Sequence, residues 1–224
     1  MLGQEMPYIR SMRQSLFDTD GGTEALAPGA TVLRGFARKR DLALLAAIEE
    51  IAAQAPFRRM VTPGGFEMSV AMTSCGAAGW VTDRSGYRYQ THDPQSDAPW
   101  PAMPPGFLAL ADESATAAGF ANFVPDACLI NRYEPGTKLS LHQDKDEADY
   151  RHPIVSVSLG LSATFQFGGP KRGDPVRKVA LEHGDVVVWG GPSRLFHHGV
   201  LTLKSGEHPL TGRRRFNLTL RKAL

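Results

Sequence analysis

Between residues 126 and 222 the chain reads as strand after strand. The runs ACLINRY, LSLHQ, PIVSVSLG, ATFQFGG, RKVALE, DVVVWGG, RLFHHGV and RFNLTLR are rich in β-branched and aromatic side chains, and Gly, Pro or Asp punctuates nearly every gap. Eight short strands separated by turn residues predict a sandwich or a jelly roll. Upstream, ATVLRGF is a further strand. RDLALLAAIEEIAAQAP then predicts a helix, with Asp41 as cap, Leu42, Leu45, Ile48 and Ala52 at helical spacing, and Pro56 as the stop. Residues 57–91 carry the turn signals TPGG and RSG around the strand-like runs EMSVAMT and GYRYQT, and read as a hairpin-rich flap. The Pro-rich DAPWPAMPP leads into an Ala-rich helix over about 106–119. Residues 1–25 read as a disordered or extended tail. The expected layout is one domain over 26–224, with a jelly-roll core at 126–222, flanking helices and the flap at 57–91.

Bulk properties exclude some classes. No apolar run reaches 18 residues, so no membrane-spanning helix is expected. The first residues lack the apolar stretch of a secretory signal. Two cysteines, Cys75 and Cys128, are too few for a disulfide scaffold and read as reduced, partly buried thiols. A net charge of +2 permits a nucleic-acid partner without arguing for one.

The chemistry-bearing stretch is LHQDKDE, residues 141–147. On a strand, side chains alternate faces, so Ser140, His142 and Asp144 share one side and Leu139, Leu141 and Gln143 the other. An imidazole and a carboxylate two residues apart can grip one cation, and two histidines plus one carboxylate make the facial triad of non-heme Fe(II) oxygenases. HxD alone more often marks a surface turn. The third ligand is open among His152, His183, His197 and His198, with His92 and His208 more remote. Adjacent strand residues point oppositely, so only one of His197 and His198 can face a metal, and periodicity does not choose. Asp146 joins the His142 face if the strand continues; Glu147 reads as solvated.

A second constellation lies in RRRFNLTLR. Phe216, Leu218 and Leu220 take one face; Arg215, Asn217, Thr219 and Arg221 take the other. Guanidinium forks match carboxylates bidentately, so this face suits a dicarboxylate. In LINRY, Asn131 and Tyr133 share a face with Leu129, while Arg132 points away.

Together, NRYEPGTKLSLHQDKDE, VSVSLGLSATFQFGG, HGDVVVWGG, SRLFHHG and RFNLTLR, with VTPGGFEMSVAMTSCG and GYRYQ upstream, resemble the bacterial AlkB family of DNA-dealkylating Fe(II)/2-oxoglutarate dioxygenases over about residues 28–222. The resemblance implies a double-stranded β-helix (jelly roll) with flanking helices and a nucleotide-recognition lid. It implies iron ligands His142, Asp144 and His198, the last because the family places its ligand directly before the glycine of SRLFxHG; His197 stands where an aromatic is usual. It further implies that Arg215, with Tyr133 and Asn217, holds the distal carboxylate of 2-oxoglutarate, and that Asn131 and Arg221 support its other polar groups. O2 is the co-substrate.

The implied reaction is oxidative dealkylation of N-alkylated bases such as 1-methyladenine and 3-methylcytosine, in DNA or RNA, with 2-oxoglutarate leaving as succinate and CO2 and the methyl group as formaldehyde. A base inside a duplex is unreachable, so the substrate is flipped or single-stranded. Trp80 is the expected stacking residue, and Met68, Met72, Tyr87 and Tyr89 line the slot or touch phosphate. Asp146 contacts the exocyclic amino group, and its charge favours a cationic methylated base. Thr62, Lys138, Lys145 and Arg172 are phosphate or base contacts, or plain surface groups. A cytoplasmic monomer with no membrane partner is expected. Two other readings keep part of this set: a 2-oxoglutarate dioxygenase acting on a protein or small molecule, and a non-catalytic reader of modified nucleic acid.

Overall fold

The computed structural model describes residues 21–224. In chain order its elements are β1 (Thr23–Ala27), β2 (Ala30–Leu33), α1 (Asp41–Gln54), β3 (Ala71–Gly76), β4 (Gly79–Asp83), β5 (Gly86–Gln90), α2 (Pro105–Ala117), β6 (Ala127–Tyr133), β7 (Leu139–His142), β8 (Ile154–Gly160), β9 (Ala163–Phe167), β10 (Arg177–Leu181), β11 (Val186–Trp189), β12 (His198–Val200) and β13 (Arg215–Arg221). A large sheet runs β1-β2-β11-β8-β13-β6-β3 and a small one β10-β9-β12-β7; β4 and β5 form a separate hairpin. The fold is the expected double-stranded β-helix.

Burial explains why the strands read as they do. One apolar layer fills the space between the two sheets, with Val32, Leu129, Phe165, Phe167, Val187 and Trp189 among its members. A second lies between the large sheet and the two helices, with Leu44, Ile48, Phe107, Leu110, Val157, Val188, Leu218 and Leu220. The large sheet is therefore covered on both faces, and β8 and β11 are buried at every position. That is why IVSVSLG and VVVW lack a charged face.

Five expectations need correction. The tail expected over 1–25 lies outside the described residues up to 20, but Thr23–Ala27 is a strand paired with β2. The core expected at 126–222 also takes in β1, β2 and β3. EMSVAMT does not belong wholly to the lid, because β3 pairs along β6 as an edge strand with its first five residues buried. In α1 the buried stripe is Leu44, Ile48 and Ile51, while Leu42 is 66 % exposed. Alanine and leucine nearly encircle this helix, so more than one stripe satisfies the spacing, and the sheet beneath selects among them. Asp41 is its first helical residue rather than a side-chain cap; its Oδ2 lies 3.0 Å from Nε2 of His183.

What remains of the lid is the turn before β3 and the β4–β5 hairpin. In the TPGG turn, Thr62 Oγ1 accepts from the Phe66 amide, and Gly65 sits at φ +83°, where a glycine is needed. In the RSG turn, Asp83 accepts from the Ser85 amide and both ends of the Arg88 guanidinium.

Candidate metal and cofactor site

β12 runs antiparallel to β7 with His198 directly opposite His142. This register, not sequence spacing, brings the two imidazoles together, with ring centroids 4.4 Å apart. Gly199 permits it: a Cβ there would meet the Leu139 carbonyl oxygen at 2.7 Å. Asp144 follows just beyond β7. Ligand atoms of His142, Asp144 and His198 all lie within 4.8 Å of one another. The three form a metal-binding triad.

Each histidine is aimed by its own backbone. Nδ1 of His142 donates to the Ser140 carbonyl at 2.9 Å, and Nδ1 of His198 to the Phe196 carbonyl at 3.0 Å. Each Nε2 is thereby left with its lone pair toward the cavity. Burial, and then the neighbouring His142, hold His198 down to about 3, so it is neutral and ready to ligate. Burial alone would raise the Asp144 carboxyl; Arg221 and the two histidines outweigh it and keep it below the usual carboxylate range. His197 points away, its Nδ1 3.2 Å from the Gly169 carbonyl. The other candidates are engaged elsewhere. His183 is beside Asp41 and stacks on His208, His152 is 3.7 Å from Asp149, and His92 meets Thr91.

A cavity of about 630 Å³ opens over the triad. Asn131, Tyr133, Arg215, Asn217 and Arg221 line one part of it. Phase and faces are those expected for β6 and β13, and the polar face of β13 is buried: Arg215 is 1 % exposed. Arg215 donates from Nη2 to Ser158 Oγ at 2.9 Å and lies 4.9 Å from the Tyr133 ring centroid. Its Nε and Nη1, the Tyr133 hydroxyl and Asn131 Oδ1 are buried without partners, and no carboxylate pairs with Arg215 among the described residues. An isolated buried cation is costly. The free donors of Arg215 and Tyr133 are complementary to a carboxylate that enters the cavity. Asn217 is already committed, donating to Ser156 Oγ and the Val157 carbonyl while its Oδ1 accepts from Asn131 and Thr219. The Arg221 guanidinium is held by Asp144, at 2.7 Å, and by Glu147.

The lid covers the opposite side. Trp80 stacks on Tyr87 at 5.6 Å, and its indole N–H donates to Asp146 Oδ2 at 2.8 Å. Asp146 reaches the cavity by this contact rather than by strand continuation, because β7 stops at His142. Met68 and Met72 line the cavity, Met72 from within the apolar core. Arg172 donates to the Leu141 carbonyl at the rim, where Thr62, Lys138 and Lys145 also stand.

Glu147 and Arg194 escaped sequence reasoning. Glu147, expected in solvent, is 6 % exposed; it pairs with buried Arg194 at 3.0 Å and accepts the Tyr89 hydroxyl at 2.8 Å. Burial pushes the Tyr89 phenol well above its ordinary value, so it remains a donor. These partners lie 47 and 58 residues away, beyond any local pattern. Cys75 and Cys128 are fully buried and face each other across β3 and β6.

Two histidines on facing strands of a jelly roll and an aspartate just beyond one of them, beside a buried arginine with no carboxylate partner, define an Fe(II)/2-oxoglutarate oxygenase. A family model described as the 2OG-Fe(II) oxygenase superfamily matches residues 29–221. The alpha-ketoglutarate-dependent dioxygenase AlkB of Salmonella typhimurium is 63 % identical over 89 % of this chain and 93 % of its own length. AlkB of Escherichia coli is 62 % identical over 92 % and 95 %. Among solved structures, that of OsALKBH1 superposes with a TM-score of 0.79 at 30 % identity, covering 90 % of this chain and all of the other. The chain belongs to the bacterial AlkB family of Fe(II)/2-oxoglutarate-dependent dioxygenases.

Proposed function

We propose that this enzyme oxidatively removes alkyl groups from N-alkylated nucleobases, 1-methyladenine and 3-methylcytosine among them, in DNA or RNA strands. The observation that carries the reading is the Trp80–Asp146 contact over the metal triad. It places an aromatic face and a carboxylate side by side at the mouth of the cavity. A flipped base needs the first for stacking, and a cationic methylated base is favoured by the second. No helix among the described residues is long and apolar enough to cross a membrane. We place the enzyme in the cytoplasm, as a monomer.

His142, Asp144 and His198 would hold the iron. Arg215 and the Tyr133 hydroxyl would anchor the distal carboxylate of 2-oxoglutarate, and Asn217 fixes Asn131 beside them. When bound, metal and cofactor together supply the oxidising power that hydroxylates the N-methyl carbon, with release of succinate and CO2. The protein's own share is positioning and electrostatics. Trp80, with Tyr87 stacked on it, offers the base an aromatic face and excludes water. Asp146 favours the base's positive charge, which is lost when the hydroxymethyl group leaves as formaldehyde. Arg221 keeps Asp144 ionised. Arg172, Lys138 and Lys145 meet the backbone without reading sequence.

The test is a lesion panel: methylated adenine, methylated cytosine and etheno adducts in single- and double-stranded DNA and in RNA, followed by formaldehyde release with Fe(II) and 2-oxoglutarate. Release from the methylated bases is expected. Cofactor turnover with a methylated peptide but none of the oligonucleotides would overturn the reading.

A further inference from the structure

Eleven residues, 143–153, join β7 to β8 with no regular structure, yet they carry Asp144, Asp146 and Glu147. Arg221 holds Asp144 and Glu147 of this loop, and a second arginine spans its whole length. Arg194, four residues before His198, is 3 % exposed. Its Nη1 donates to the Asp144 carbonyl at 2.8 Å, its Nε to the His152 carbonyl at 3.1 Å, and its Nη2 to Glu147 Oε2 at 3.0 Å. Its guanidinium also lies 5.4 Å from the Tyr150 ring centroid. The two ends of the loop and its middle are therefore fixed to one planar cation, a geometry that lysine cannot reproduce.

Glu147 carries the constraint further. Its other oxygen, Oε1, accepts the hydroxyl of Tyr89 at 2.8 Å and lies 3.4 Å from Nε of Arg221. Tyr89 is on β5, which among the described residues pairs only with β4. Trp80 of β4 is directly opposite Tyr89 in the hairpin register and is itself joined to Asp146. The hairpin thus meets the loop at two points, and the buried one is Tyr89–Glu147. Neither Arg194 nor Glu147 belongs to the metal triad or to the group around Arg215.

We propose that Arg194 is a positioning residue that fixes the 143–153 loop, and that Glu147, held by Arg194, is the catch that keeps the β4–β5 hairpin closed over the cavity through the Tyr89 hydroxyl. The inference rests on the reading of the hairpin as the lid over the substrate. Truncating the catch frees the hairpin and weakens grip on the nucleic acid. The cofactor, held by β6 and β13, is little affected.

The experiment compares the Fe(II)- and 2-oxoglutarate-loaded enzyme, under anaerobic conditions, with Tyr89→Phe, Arg194→Lys and the double variant. Amide hydrogen exchange over residues 79–90 is the first readout. Each single variant is expected to speed exchange there about tenfold, the loss of one buried hydrogen bond of about 1.4 kcal/mol. Exchange in β8 and β13 stays unchanged, and the double variant is no faster than the faster single. In turnover, Arg194→Lys raises KM for a 1-methyladenine pentanucleotide about tenfold and moves KM for 2-oxoglutarate less than threefold. Glu147→Gln gives the same hairpin exchange by a separate route, so a poorly folded Arg194→Lys does not leave the catch unjudged. Unchanged hairpin exchange in Tyr89→Phe and Glu147→Gln overturns the catch, as do multiplicative effects in the double variant. If the wild type turns over no methylated oligonucleotide, the nucleobase reading fails while the exchange data still decide the catch.

Discussion

Arg221 donates through both Nε and Nη2 to a single oxygen, Oδ2, of Asp144, at 3.0 and 2.7 Å. The other oxygen, Oδ1, faces Nε2 of His142 at 3.6 Å and remains for a metal. A charge-assisted fork of this kind fixes both the ionisation and the orientation of the carboxylate. Arg221→Met strands a buried negative charge, and breaking such a pair costs about 3–5 kcal/mol. Chemical denaturation of the metal-free variant should show that loss, and calorimetric titration with Mn(II) should show weakened binding. Unaltered stability and metal affinity would contradict the pairing.

Arg215 behaves oppositely. In the proposed reading it is a buried cation whose partner arrives with the cofactor, so it costs stability until then. Arg215→Met should leave the cofactor-free protein as stable or more stable, by up to about 4 kcal/mol. The same change should abolish the thermal stabilisation that 2-oxoglutarate gives the wild type and raise KM for it at least a hundredfold. A variant still stabilised by 2-oxoglutarate places the distal carboxylate elsewhere.

The pH dependence of the metal-free protein follows from His198, whose buried ring is pushed from 6.5 down to about 3. Between those values the unfolded chain takes up a proton that the folded chain refuses. The contribution is complete above about pH 6.5 and is lost as pH falls, by at most about 1.4 kcal/mol per unit. Denaturation midpoints between pH 7 and 4.5 should fall for the wild type and fall less steeply for His198→Gln. Parallel slopes would remove His198 from this role.

Asp146 touches Trp80 but neither the triad nor Arg215. Asp146→Ala should relax base selection and lower kcat/KM for 1-methyladenine about tenfold, while 2-oxoglutarate affinity stays within threefold. Competition assays with methylated and unmethylated oligonucleotides measure this. Cofactor affinity falling in step with repair would contradict it.

Period-two alternation made the inward faces of β6 and β13 legible, because strand geometry leaves no freedom in which side chains share a side. It paired His142 with Asp144 but left His197 and His198 tied, since that choice depends on which face of β12 the facing β7 meets. The family motif resolved it, and the register shows why: His198 lies opposite His142 and Gly199 allows the approach. Glu147 was illegible. A lone acid after KD reads as solvated unless Arg194 and Arg221 are known to converge on it, and that convergence exists only in the folded chain. The stripe of α1 failed for another reason: a helix of alanine and leucine offers several stripes, and only the sheet decides.

The central claim is that this cavity couples 2-oxoglutarate turnover to demethylation of a base. The direct measurement is the yield of succinate and formaldehyde from a single-stranded 1-methyladenine pentanucleotide with Fe(II), 2-oxoglutarate and O2. The account predicts equal amounts of both products, adenine in place of 1-methyladenine, and neither product from His142→Ala or Asp144→Ala. Succinate without formaldehyde, with the methylated base intact, or normal turnover by either variant, would contradict it.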